Sequence, residues 1–210
     1  MGEFIYLRMS PLLSREAATK ELILDNYTRR TQSVKPLGDP SGMHKDMNPT
    51  KRGVANMKCI GIRCSNNDFS YAILSGKKAT PKLEISDTIA FPKGYTRPQA
   101  LGWFLQELEG LSKKHGFLSV WAIKGAEAIA TKGKEFVERV ENEAIVIFHA
   151  GSVGVDKAVR KVKSTIAKDL GLPGKASALK TDLDTSIIPE YNNVTDKVKE
   201  AILVAWSELK

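Results

Sequence analysis

From Met57 onward the apolar residues recur first with period two and later with period 3.6, and this switch limits the chain to an α/β layout. Lys58–Arg63 (KCIGIR) and Phe69–Leu74 (FSYAIL) are β-rich runs. Between them lies Ser65-Asn66-Asn67-Asp68, a strong turn signal, so the pair predicts a hairpin. Ser75-Gly76-Lys77-Lys78 turns again, and Leu83–Phe91 (LEISDTIAF) alternates as a third antiparallel strand. Pro92 and Gly94 then break the run. Leu101, Phe104, Leu105, Leu108 and Leu111 recur at helical spacing, which predicts a helix opening near Arg97 with Pro98 in its first turn. Gly116 ends it. Phe117–Ile123 (FLSVWAI) predicts a fourth strand, parallel to the first because a helix crosses over before it.

The second half reads less sharply. Residues 133–141 (GKEFVERVE) predict a short helix, and Ala144–Phe148 (AIVIF) a fifth, apolar strand. Val155, Val159, Val162, Ile166 and Leu170 predict a further helix, closed by Gly171 and Pro173. Residues 173–193 read mostly as loop. A last helix is predicted from Asp196 to Leu209, with Thr195 as N-cap. The order β-β-β-α-β-α-β-α-α implies a mixed five-stranded sheet, three strands antiparallel and the rest parallel, with helices on both faces.

Residues 1–56 differ from this. Residues 11–29 (PLLSREAATKELILDNYTR) predict one amphipathic helix with Ser14 as N-cap. Residues 31–56 carry Pro36, Pro40 and Pro49 and no hydrophobic period, as an exposed linker does. Met57 opens a run that looks like a protein start. Two readings of 1–56 stand: an arm that binds a protein partner through residues 11–29, or an extension without a function of its own. The expected domain is 57–210.

Composition excludes several classes. With 210 residues, 42% hydrophobic and 27% charged, the chain has room for one ordinary domain and an appendage, or for two very small domains. No stretch approaches the roughly 18 consecutive apolar residues of a membrane span, and no secretory leader is visible, so a cytoplasmic protein is expected. Cys59 and Cys64 lie five residues apart on one predicted strand and so point to opposite faces, which argues against a disulfide. His44, His115 and His149 lie far apart in sequence and show no zinc spacing. There is neither a Walker sequence nor a GxGxxG motif. A net charge of +8 is compatible with a DNA or RNA partner and equally with plain solubility.

The element order resembles the ribonuclease H-like superfamily, and within it the Holliday-junction resolvase (RuvC-like) branch, over about residues 57–210. In that family the first strand reads hydrophobic-Gly-Ile-Asp before a tight turn; here it is Ile60-Gly61-Ile62-Arg63, then Cys64-Ser65-Asn66-Asn67. The strand after the first helix ends there in a hydrophobic pair and Glu; here it is Ala122-Ile123-Lys124. The last helix carries an acidic residue followed by a small one, matched by Asp196 and Glu200-Ala201. A small bacterial family of unassigned function is similar too, with this layout and a Lys at the fourth-strand position. The resemblance implies a two-metal nuclease, but Arg63 and Lys124 stand where it implies carboxylates, and a cation cannot ligate Mg²⁺.

Three functions follow as expectations. The first is a nucleic-acid-binding module with a degenerate site of Arg63, Lys124 and Glu200, in which two fixed cations bind phosphate or pair with Glu200. It needs no cofactor. The basic run Lys157, Arg160, Lys161 and Lys168, predicted to line one side of a helix and extended by Lys132-Gly133-Lys134 and Lys175, would track the backbone or form a solvated face. The second is a divergent Mg²⁺-dependent nuclease built from Asp68, Glu127, Asp196 and Glu200. The third is a protein-interaction or regulatory module. Trp103, Trp121 and Trp206 read as packing residues. His149, expected at a strand end, and Ser152 form no triad because no acid is placed to orient them. Gly151-Ser152-Val153-Gly154, ahead of the predicted basic helix, offers a weak anion-site signal.

Overall fold

A computed structural model of the chain describes residues 57–116, 118–127 and 133–210. The expectations for 11–29, 31–56 and Lys132 lie outside these residues. β1 (Cys59–Cys64) and β2 (Asp68–Lys77) form the predicted hairpin, and β3 (Thr80–Ala90) extends it. α1 (Arg97–His115) follows, with Gln99 accepting a hydrogen bond from the Thr96 backbone N–H at 2.8 Å. β4 (Val120–Lys124) comes next. After α2 (Lys134–Ser152), β5 (Lys157–Lys161) and the short α3 (Lys163–Asp169), the one-turn helix α4 (Ala178–Thr181) and a 3-10 helix at Pro189–Asn193 interrupt the loop before α5 (Asp196–Trp206).

The sheet order is β3-β2-β1-β4-β5. β1, β2 and β3 pair antiparallel, while β1–β4 and β4–β5 pair parallel. Period-two alternation divides the strands between two cores. Ile60, Ile62, Phe69, Tyr71, Trp121 and Ile123 face α1 and α2. Cys59, Ala72, Leu74, Val120 and Ala122 face α5 and α3. The two cysteines therefore lie on opposite faces, buried and unbridged.

α5 crosses the face of β1 at Gly61, whose missing side chain allows close approach: a Cβ there would lie 2.0 Å from the Ala201 carbonyl oxygen. The helix is buried along most of its length, with the Trp206 indole N–H donating to the Lys78 carbonyl at 2.9 Å. Trp121 is buried beside His149, and Trp103 packs edge-on against Phe91, so all three tryptophans serve packing. Among the described residues no helix is long and apolar enough to cross a membrane.

Two element assignments differ from expectation. Residues 133–141 and the run AIVIF are one helix, α2, not a helix followed by a strand. Its buried positions, Asn142, Glu143, Val146, His149 and Ala150, repeat at helical spacing, while Ile147 and Phe148 are exposed. Five adjacent apolar residues suit either structure, so the run alone could not decide. The fifth strand is instead KAVRK, residues 157–161, expected as helix. Val159 turns into the α5-side core, and the segment completes the sheet by pairing with β4 in register Ala122↔Val159. Gly151-Ser152-Val153-Gly154 therefore ends a helix instead of opening one, which is the wrong end of the dipole for an anion.

Candidate functional site

Arg63 and Lys124 sit at the carboxyl ends of two adjacent parallel strands. The parallel register ends on the pair Ile62↔Ile123, so the two cations are the next neighbours along β1 and β4. Both belong to the set of positions that faces α5, and α5 places Glu200 opposite them. The Arg63 Nε donates to Glu200 Oε2 at 3.2 Å, and the Lys163 Nζ, from the first residue of α3, reaches Glu200 Oε1 at 2.9 Å. The Lys124 Nζ donates to the Gly125 carbonyl at 2.9 Å and pairs with Glu127 Oε1 at 3.1 Å. The same Glu127 oxygen accepts the Lys163 backbone N–H at 3.2 Å. Each carboxylate thus bridges two donors.

Burial and charge compete here. Lys124 is only 2% exposed, and that burial pushes its ammonium below the usual lysine value in spite of Glu127 and Glu200. Burial alone would raise Glu127 and Glu200. Both nevertheless lie below the ordinary carboxylate value, Glu127 through its hydrogen bonds from Lys124 and Lys163, Glu200 through the Lys163 hydrogen bond and the charges of Lys124, Lys163 and Arg63. The hydrogen bond to Glu200 raises Lys163. For Glu200 the folded value is the lower one, so its stabilisation is complete above the unfolded carboxylate value of 4.5 and is lost as pH falls through the folded value. Urea unfolding of the protein and of Glu200→Gln is therefore expected to differ most near neutral pH and to converge in acid, as pH falls below the unfolded carboxylate value.

These residues line a cleft of about 650 Å³, with Arg139 and Lys197 on its walls. Lys197 Nζ lies 2.5 Å from Asp68 Oδ2. Arg139 is fixed by Glu143, a carboxylate 1% exposed that sequence reading passed over. Glu143 accepts from Arg139 Nε at 3.1 Å, Arg160 Nε at 2.6 Å and the Ala126 backbone N–H at 2.7 Å. Arg139 also donates to the Lys124 carbonyl at 3.1 Å, so this cluster holds the turn after β4 in place. A charged residue amid the buried positions of α2 was the available signal, obscured by the expected break between helix and strand. A second cleft, of about 980 Å³, adjoins at Asn66 and is lined by Phe91, Lys93, Tyr95 and Arg97 among others.

The other predicted residues separate. Asp196 is 99% exposed in its side chain and lies 3.7 Å from Lys199. Asp68 is engaged by Lys197, and among the described residues no three carboxylate, imidazole or thiol groups gather where they could hold a metal. The basic run is an edge strand, not one side of a helix. Lys157 pairs with Glu208 at 2.7 Å, Arg160 with Glu143 from the opposite face, and Lys161 with Asp169 at 2.6 Å and with Glu208. Lys168 is exposed on α3, Lys134 lies 3.5 Å from Glu138, and Lys175 is exposed in the following loop. His149 is buried in α2 against Trp121, within 2.9 Å of Ser112 Oγ, and burial pushes it below the usual histidine value.

No family model matches the chain, and no curated protein matches it in sequence. Solved structures do match. RuvC of Thermus thermophilus in complex with Holliday junction substrate superposes with a TM-score of 0.57 at 9% identity, covering 72% of this chain and 91% of that one. A second structure of RuvC from the same organism gives 0.55 at 12% identity, over 72% and 92%. The yeast mitochondrial Holliday junction resolvase Ydc2 gives 0.51 at 12% identity, over 72% and 77%. The fold of residues 57–210 is thus ribonuclease H-like, in the layout of the RuvC resolvases.

Proposed function

We propose that residues 57–210 form a nucleic-acid-binding module that does not cleave by metal-dependent chemistry. The observation that carries this reading is the pair Arg63 and Lys124, neighbours in register at the carboxyl ends of β1 and β4, where open α/β sheets bind their ligands. Two-metal cleavage needs several carboxylates around cations about 3.5–4 Å apart. The donors at this place do not fit such a pair. Arginine and lysine offer no oxygen, and the two nearby carboxylates, Glu127 and Glu200, are already held by Lys124, Lys163 and Arg63. The same cations suit a polyanion. The RuvC structure with a Holliday junction substrate supports a branched DNA as one candidate ligand among several.

The test is a mobility shift on single-stranded, duplex, RNA–DNA hybrid and four-way-junction substrates at two salt concentrations, with and without Mg²⁺ or Mn²⁺. A shift that weakens with salt and leaves every substrate intact is expected. Metal-dependent cleavage abolished by Glu200→Gln would reverse the reading in favour of a nuclease. No shift on any substrate would remove nucleic acid as the partner.

A further inference from the structure

We infer that the cleft between β1, β4 and α5 is a phosphate-binding site in which Arg63, Lys124 and Lys163 hold one phosphate group of the ligand, while Glu127 and Glu200 act as internal anions in its absence. This deepens the nucleic-acid reading and rests on it for the identity of the ligand. Three observations lead here.

The first is charge. Arg139 and Lys197 on the cleft walls are matched by Glu143 and Asp68, but three further cations, Arg63, Lys124 and Lys163, converge on only two carboxylates, Glu127 and Glu200. The low values of Glu127 and Glu200 report the same field from inside, because it outweighs a burial that acts in the opposite direction.

The second is geometry. Parallel strands run about 4.8 Å apart, so the bases of the Arg63 and Lys124 side chains are close neighbours of like charge on one face. An anion placed between such a pair offsets their mutual repulsion. Glu200 supplies one from α5 by bridging Arg63 and Lys163, and Glu127 supplies another by bridging Lys124 and the Lys163 backbone N–H. A phosphate oxygen can take the place of either carboxylate oxygen with the same donors, and a tetrahedral group offers enough oxygens to meet all of them at once. Arg63 Nη1 has no hydrogen-bond partner among the described residues, so the guanidinium still has donor capacity to give.

The third is the cost of Lys124. A methionine would fill this buried position without the penalty of burying a charge, and buried ion pairs are commonly no more stabilising than apolar residues of similar size. Retaining an ammonium there makes sense for recognition. The cleft also opens where a ligand can enter, since Glu127 is 43% and Lys163 34% exposed in their side chains.

The experiment uses the full chain and inorganic phosphate as probe, with chloride at matched ionic strength as reference. Phosphate is expected to raise the melting temperature in a saturable way where chloride does not. Lys163→Met and Lys124→Met should each weaken that binding by about tenfold or more, the loss expected for one charge-assisted contact. Glu200→Gln should tighten it, because a competing internal anion is gone. Lys113→Gln, in the last turn of α1, should leave it unchanged. Lys163, being part-exposed, keeps the test decisive if Lys124→Met fails to fold. Phosphate acting no better than chloride, or unaltered in both lysine variants, overturns the site. The mobility shift, run on the same variants, separates the two ideas: a shift that persists without phosphate binding sinks the site and spares the nucleic-acid reading, whereas phosphate binding without any shift does the reverse. Oligonucleotides with a 5′-phosphate or a 5′-hydroxyl then distinguish a terminal phosphate from a phosphodiester within the strand.

Discussion

Gly61→Ala is expected to destabilise the domain by roughly 3 kcal/mol, at the upper end of the usual range for overpacking. The added Cβ would lie 2.0 Å from the Ala201 carbonyl oxygen and 2.9 Å from the Ala205 Cβ. Neither is the end of a flexible side chain. Relief requires α5 to rise off β1, and α5 covers most of the core on that face of the sheet. Tight packing transmits the displacement, because protein interiors have few voids to absorb it. The same movement would carry Glu200 away from Arg63, so the variant should lose stability and disturb the cleft together. Chemical denaturation reads the first effect. A fall of less than about 1 kcal/mol would mean that the helix does not press on the strand as described.

Glu143→Ala is expected to cost about 3 kcal/mol, at the lower end for breaking a buried ion pair. One carboxylate, 2% exposed in its side chain, serves Arg139, Arg160 and the Ala126 backbone N–H. Its removal leaves the Ala126 amide and the Arg139 Nε without their acceptor, and an unmet buried donor carries its full desolvation cost. Arg160 is 43% exposed in its side chain and can turn to water, which is why the larger figures for buried pairs do not apply. The turn after β4 should loosen at the same time, since Arg139 ties it through the Lys124 carbonyl. Hydrogen exchange at Gly125 and Ala126 is the direct measurement, with faster exchange expected in Glu143→Ala. Unchanged protection there would show that Glu143 does not organise the turn. A Glu143→Gln variant keeps one acceptor oxygen and should lie between the two.

How far the sequence carried depends on where along the chain one looks. In the hairpin β1–β2 the turn residues and the period-two pattern agree, and the register follows, although β2 runs on to Lys77 through most of the turn expected at 75–78. α1 announced itself by Pro98 in its first turn and α5 by the Thr195 cap, each with apolar residues at helical spacing behind it. The segment from Lys134 to Lys161 did not. AIVIF satisfies either period over five residues, and KAVRK carries more charge than apolar surface, so neither holds a local signal strong enough to name its structure. What decided them was the sheet. The outer edge of β4 takes a parallel neighbour, and among the described residues it is 157–161 that arrives there after a helical crossover.

The candidate site divides in the same way. Arg63 and Lys124 are legible from sequence because the ends of two strands, each marked by its own apolar run, determine where their side chains stand. Their meeting with Glu200 follows once α5 is known to cross β1 at a glycine. Lys163, Arg139 and Glu143 were not legible, because their part depends on contacts between elements far apart in sequence. The same holds for the fate of the basic run. Sequence shows four like charges close together, but only the folded chain shows that Glu143, Asp169 and Glu208 reach three of them from other elements. Periodicity is a local property and is written in neighbouring residues. Charge compensation is a property of space, and the tertiary structure alone decides which anion meets which cation.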